Sequence, residues 1–138
     1  MKFPYLKQPT ADPSAPWISR PVIPVRLFYR GTPFDVYALL DSGADVTLFH
    51  SSVARALGID LATGRQVAFR GIAGDAVAGY FHTIQLQLIG SPEVIELEAG
   101  FTDAPGVRAI LGQTGFFEHY RITFDRSKEL IEIRPKKA

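Results

Sequence analysis

The sequence contains no cysteine. Disulfides, thiolate metal sites and a cysteine nucleophile are therefore excluded. Net charge is nearly absent as well, because 15 basic and 14 acidic side chains sum to +1 over 138 residues. A protein that grips nucleic acid through a general electrostatic field needs a clear basic excess, so that class is set aside. No stretch reaches the roughly 18 consecutive apolar residues of a membrane-spanning helix. The opening Met1-Lys2-Phe3-Pro4-Tyr5 lacks the basic segment and apolar run of a secretory signal, so a cytoplasmic location with no membrane partner is expected. Internal repeats and low-complexity blocks are missing too. What remains is a chain of one-domain length whose 46% hydrophobic content supplies an ordinary globular core without covalent staples.

Seven of the ten prolines fall within the first 33 residues, at 4, 9, 13, 16, 21, 24 and 33. Residues 1–20 show neither a two-residue nor a 3.6-residue period. Proline removes backbone donors and fixes φ, so this stretch reads as an extended arm. Such an arm either packs on a partner or substrate groove or hangs as a loosely held tail. Residues 21–138 read as the domain proper.

From Val22 the pattern becomes strand-like. Val22 to Tyr29 and Phe34 to Leu40 are rich in β-branched and aromatic residues and flank the turn Arg30-Gly31-Thr32-Pro33, which predicts a hairpin. Ser51 to Leu57 predicts a short helix, with serine available to cap its start and Gly58 to end it. Gln66 to Phe69 and Val77 to Leu88 predict strands around the glycine-rich turn Gly71-Ile72-Ala73-Gly74-Asp75. Ile84, Leu86 and Leu88 alternate with Gln85 and Gln87, the mark of a strand with one wet face. Val94 to Ala99 and Arg108 to Leu111 add strands, Gln113 to His119 one or two helical turns, and Arg121 to Phe124 with Leu130 to Ile133 a closing hairpin. Many short strands with frequent turns imply a mainly β barrel or sandwich with two short helices.

The densest chemical signal is Ala38-Leu39-Leu40-Asp41-Ser42-Gly43-Ala44-Asp45-Val46-Thr47-Leu48-Phe49. An apolar strand runs into a carboxylate, a hydroxyl residue and glycine, then into more apolar chain. Asp41 therefore sits at a tight turn between buried strands, where an ionised carboxylate needs hydrogen bonds or a shared proton. Gly43 lets backbone approach closely. The plain alternative is an Asx-turn, with Asp41 bonding its own backbone. Other chemistries lack their motifs. There is no Gly-x-Ser-x-Gly to make Ser42 a nucleophile, and no His-x-x-x-His or EF-hand spacing to hold a metal. His50, His82 and His119 read as surface or structural residues, and no cofactor is implied.

About seventy residues after Asp41 comes Arg108-Ala109-Ile110-Leu111-Gly112-Gln113, followed by Phe116-Phe117-Glu118-His119-Tyr120. With the glycine-rich hairpin of Gly71 to Tyr80 between them, the order resembles the retropepsin-like aspartic proteases, the retroviral proteases and their single-domain cellular and bacterial relatives. The resemblance covers roughly residues 20–135 and implies a closed β-barrel of the acid-protease type with a flap hairpin. It implies Asp41 as the catalytic carboxylate. It implies Ser42 as the hydroxyl that braces the paired active-site loops, Gly43 as the residue meeting substrate backbone, and Ala44 as part of the floor. Asp45 would meet substrate backbone as well. Gly71, Ile72, Ala73, Gly74, Val77 and Tyr80 would form the flap and its pocket walls, and Ile110, Leu111 and Gly112 would pack beneath the catalytic loop. The sequence departs from the retroviral pattern at Gln113, where those enzymes carry an arginine that pairs with the residue matching Asp45. A neutral amide there can hydrogen-bond to Asp45 but forms no salt bridge. The arm of residues 1–20 has no retroviral counterpart either.

Peptide hydrolysis of this type needs two carboxylates that share a proton around one water. The chain has one Asp-Ser/Thr-Gly; Asp60, Asp75, Asp103 and Asp125 all lack the motif. The second carboxylate is expected from a second copy, in a homodimer with Asp41 and its mate about the two-fold axis. The expected substrate is an extended peptide or protein segment. The contrasting expectations are a catalytically silent dimerisation or peptide-binding module of the same fold, and a monomer that pairs with a different chain.

Overall fold

A computed structural model of the chain describes residues 1–70 and 76–136. Its centre is a closed barrel of six strands. They are β4 (Val22–Tyr29), β5 (Thr32–Leu40), β6 (Leu48–His50), β8 (Ala76–Leu88), β9 (Val94–Thr102) and β10 (Ala109–Leu111). The ring runs β4-β5-β10-β6-β9-β8 and closes by pairing β8 back onto β4, with β7 (Arg65–Arg70) hanging from β8. Closure leaves no open edge among these six strands, which removes a template for unwanted pairing.

Alternation decides which side chains enter the barrel. Val25 and Leu27 on β4 meet Leu88 and Leu86 on β8, and all four are buried. The glutamines between them turn toward water, as the sequence pattern requires. Phe49 on β6 lies beside Phe101 on β9 in parallel register, ring centroids 5.8 Å apart. Each fully buried side chain of this size stabilises the fold by about 1.5–3 kcal/mol. The expectation of a mainly β closed barrel is met.

The hairpin between β4 and β5 is tighter than the sequence suggests. Its loop is Arg30-Gly31 alone, both at positive φ (48° and 83°), so Thr32 and Pro33 already belong to β5. Positive φ at both positions matches the twist of the flanking strands. The helix α1 (Ser51–Leu57) forms where expected but is capped differently: His50 Nδ1 accepts the Ser52 N–H at 3.1 Å. Gly58 ends it in the left-handed conformation. The helical turns expected over Gln113 to His119 are instead consecutive tight turns. Gly115 takes a positive φ of 100° there, which a helix does not tolerate. Among the described residues a single 3-10 turn, Leu61–Thr63, is the other helical element.

Residues 1–20 are not irregular. β1 (Lys2–Pro4) pairs with β12 (Leu130–Pro135), which pairs with β11 (Tyr120–Asp125), and Phe3, Tyr120, Ile131 and Ile133 are buried with this sheet. β2 (Leu6–Pro9) and β3 (Trp17–Arg20) make a separate two-stranded hairpin. Both are edge or isolated pairings, the places where proline-rich chain can join a sheet. Among the described residues, no helix is long and apolar enough to cross a membrane.

Candidate active site

Asp41 stands at the end of β5, where that strand runs parallel to β10. Ile110 lies opposite Leu39 and Leu111 opposite Leu40. The Asp41 N–H donates to Leu111 O at 3.0 Å and carries the pairing one step further. The chain then turns sharply. Ala44 N–H donates to Asp41 O at 3.2 Å, and Gly43 N–H donates to Asp41 Oδ1 at 2.9 Å. The Asx bond of the plain reading is thus present, but it uses one carboxylate oxygen. Among the described residues Oδ2 has no hydrogen-bond partner, and the side chain is half-buried.

A second loop, residues 112–114, is laced to the first. Gln113 N–H donates to Ala44 O and Thr114 N–H to Asp45 O, each at 2.9 Å, and Val46 bridges Thr114 in parallel. Gly112 lies where no side chain fits: a Cβ there would fall 2.2 Å from Val46 O and 2.8 Å from Ala44 O. The glycine of Ile110-Leu111-Gly112 is therefore required by the close approach of two backbones. Leu111 is buried beneath the loop, and Ile110 is half-buried beside it.

Gln113 behaves differently from the sequence reading. Its Nε2 donates to Ser42 O at 2.8 Å and not to the Asp45 carboxylate. Asp45 is exposed, and its carboxylate has no partner among the described residues. Ser42 and Gly43 are exposed and Ala44 half-buried. One contributor escaped the sequence reading. Thr47 is fully buried; its hydroxyl donates to Thr114 O at 3.0 Å and accepts the Gly112 N–H at 3.2 Å. The signal was available: a hydroxyl inside an apolar run must find partners when it is buried.

The hairpin of β7 and β8 carries Val77 opposite Phe69 and Tyr80 opposite Gln66, both half-buried. Gly71, Ile72, Ala73 and Gly74 lie outside the described residues. Two of the three histidines do structural work. His50 caps α1, and buried His82 places Nε2 3.1 Å from Leu61 O.

Asp41 thus stands on a doubly braced turn at the end of a barrel strand. The family model described as "Aspartyl protease" matches residues 23–114, two-thirds of the chain, including both laced loops. The chain belongs to the aspartyl protease family. Among solved structures, a retropepsin-like aspartic protease from Rickettsia conorii superposes with a TM-score of 0.64 over 97% of this chain and 98% of that one, at 13% identity. The retroviral protease-like domain of Ddi1 from Leishmania major gives 0.60 over 84% and 89%, at 16% identity. These two likenesses establish the retropepsin-like fold. EIAV protease complexed with the inhibitor HBY-793 is 26% identical, with a TM-score of 0.50 over 68% of this chain and 82% of that one. No curated protein matches the sequence. Membership of the aspartyl protease family gives the braced Asp41 turn its chemical context.

Proposed function

We propose that two copies of this chain form an aspartic endopeptidase, with residues 21–138 as the protease domain and residues 1–20 as an accessory arm. The observation that carries the reading is the single Asp41-Ser42-Gly43 turn, held by backbone bonds to residues 111–114 and leaving one carboxylate oxygen uncommitted. One chain supplies one carboxylate. A two-fold axis beside the turn supplies the second. Two carboxylates at hydrogen-bond distance cannot both ionise, the general behaviour of aspartic-protease dyads, so the pair holds one proton between them. The ionised member takes a proton from a water as its oxygen attacks the scissile carbonyl carbon, and the protonated member hydrogen-bonds to the carbonyl oxygen. Collapse of the tetrahedral intermediate breaks the C–N bond, and the amine leaves with a proton. No cofactor enters.

Gly43 and Asp45 face the substrate backbone in this reading, Ser42 braces the paired active-site loops across the axis, and Ala44 lines the floor. The β7–β8 hairpin, with Val77 and Tyr80 along it, acts as a flap that adds a strand to an extended peptide, and Gly71, Ile72, Ala73 and Gly74 are assigned to the same flap by sequence. Asp41→Asn should abolish cleavage of a mixed peptide library at about pH 4–7 while leaving the thermal transition in place. Residual cleavage by that variant would sink the proposal. Wild-type protein that gives no products yet sediments as a dimer would favour a silent dimerisation module instead.

A further inference from the structure

The strand that delivers Asp41 also carries Leu39 and Tyr37, each two residues further back. Side chains two apart on a strand share a face. Leu39 is flanked on both sides, by Val22 on β4 and Ile110 on β10. Val22, Leu39 and Ile110 thus make an apolar floor on the same face as the carboxylate. Two residues before Val22 stands Arg20, and two residues before Ile110 stands Arg108. Both arginines line one pocket of about 160 Å³ together with these three floor residues. Among the described residues, no acidic side chain lines it.

Both arginines are exposed, and neither guanidinium has an ion-pair or hydrogen-bond partner among the described residues. Four other arginines, at 26, 65, 126 and 134, each hold an acid. Asp35, which lines the adjoining cavity, is already taken by Arg26 through two bonds of 2.7 and 3.0 Å. A pocket with an apolar floor and two unpaired guanidinium groups at its rim fits a side chain with a short aliphatic stem and a carboxylate end. Arginine presents paired donors that match a carboxylate in geometry as well as charge.

We propose that this pocket selects a glutamate or aspartate side chain next to the bond that is cleaved, with Arg108 as the main determinant and Arg20 in support. The inference rests on the peptidase reading for its position beside Asp41. The two-fold axis of the proposed dimer supplies one such pocket on each side of the bond.

The test uses the full chain and matched apolar peptides that carry Glu, Gln or Lys at one residue flanking the cleaved bond. Wild-type protein should cleave the Glu peptide about three- to tenfold faster in kcat/KM than the Gln peptide, the modest range expected of solvent-exposed charges. That advantage should shrink toward parity at about 1 M salt. Arg108→Glu should invert the preference toward Lys, and Arg20→Gln should reduce the Glu advantage without inverting it. Cleavage with equal rates for Glu and Gln, or a preference untouched by Arg108→Glu, overturns the inference and leaves the peptidase reading standing. If no peptide is cleaved, titration of the same peptides onto the wild-type protein decides. Tighter, Arg108-dependent binding of the Glu peptide upholds the pocket while the peptidase reading falls. Equal binding overturns the pocket as well.

Discussion

The turn that carries Asp41 and the hairpin of β2 and β3 belong to one molecule but are held by bonds of very different reach. Around Asp41 the contacts join residues 65 to 71 positions apart: Thr47 to Gly112 and Thr114, and Gln113 to Ser42. In the hairpin loop they join near neighbours. Asp12 accepts from the Ser14 N–H and hydroxyl, and the Thr10 hydroxyl donates to Ala15 O. The two Thr47 bonds are buried or half-buried, the Gln113 bond is exposed, and all three exist only when the barrel has closed. The second network is exposed and can form in the chain by itself. A long-range, mostly dry network fixes a carboxylate in place; a short-range, wet one merely shapes a loop.

Substitutions can break or sharpen that contrast. The largest effect is expected from Gly112→Ala. The new methyl would meet the Val46 carbonyl, so the two loops must part. Overpacking of this kind costs about 1–3 kcal/mol and more where backbone cannot yield. A urea midpoint like that of the wild type would show that the loops are looser than the geometry says. Next comes Thr47→Val, which keeps the shape and removes the hydroxyl. It strands a buried Gly112 N–H, and a loss of about 1–3 kcal/mol is expected in the same measurement. Cleavage should fall in both variants, because Asp41 loses its brace.

Asp12→Ala should leave the unfolding midpoint within error, since the bonds it removes are local and fully solvated. A clear loss there would mean that the hairpin is coupled to the barrel. The smallest effect concerns acid. The Arg26 guanidinium hydrogen-bonds to Asp35 and, with its charge, holds that carboxyl below the ordinary aspartate range. A depressed value means that the pair's contribution is present above the ordinary range and is lost as pH falls through the folded-state value. Asp35→Asn should therefore lower the melting temperature slightly near neutrality, and the difference from the wild type should vanish as pH falls through the folded-state value, which flattens the acid limb of the profile. Full exposure keeps the change small.

Much of the barrel is legible in the sequence. Alternation at Ile84, Leu86 and Leu88 named the wet and dry faces of β8, and Gly58 marked the end of α1. Other expectations give way, each for its own local reason. The helical turns expected over Gln113 to His119 gave way because Gly115 and the Gly115 N–H bond to Glu118 Oε1 (2.7 Å) favour tight turns there. His50 displaced serine as the cap of α1 because a side chain one residue earlier already reached the free N–H. Residues 1–20 show no period because their strands run for only three or four residues each, too short for a pattern to repeat.

By itself, the order of residue types determined that this is a mainly β chain with one Asp-Ser-Gly turn. Those are local facts: period, turn chemistry and motif count survive in the unfolded chain. Tertiary structure alone decided that Gly112 has no room for a side chain, that Thr47 joins the two loops, that Gln113 turns to Ser42, and that Arg20 and Arg108 meet over one apolar floor. Each of these depends on which distant backbones the closed barrel presses together, and no spacing along the chain records that distance.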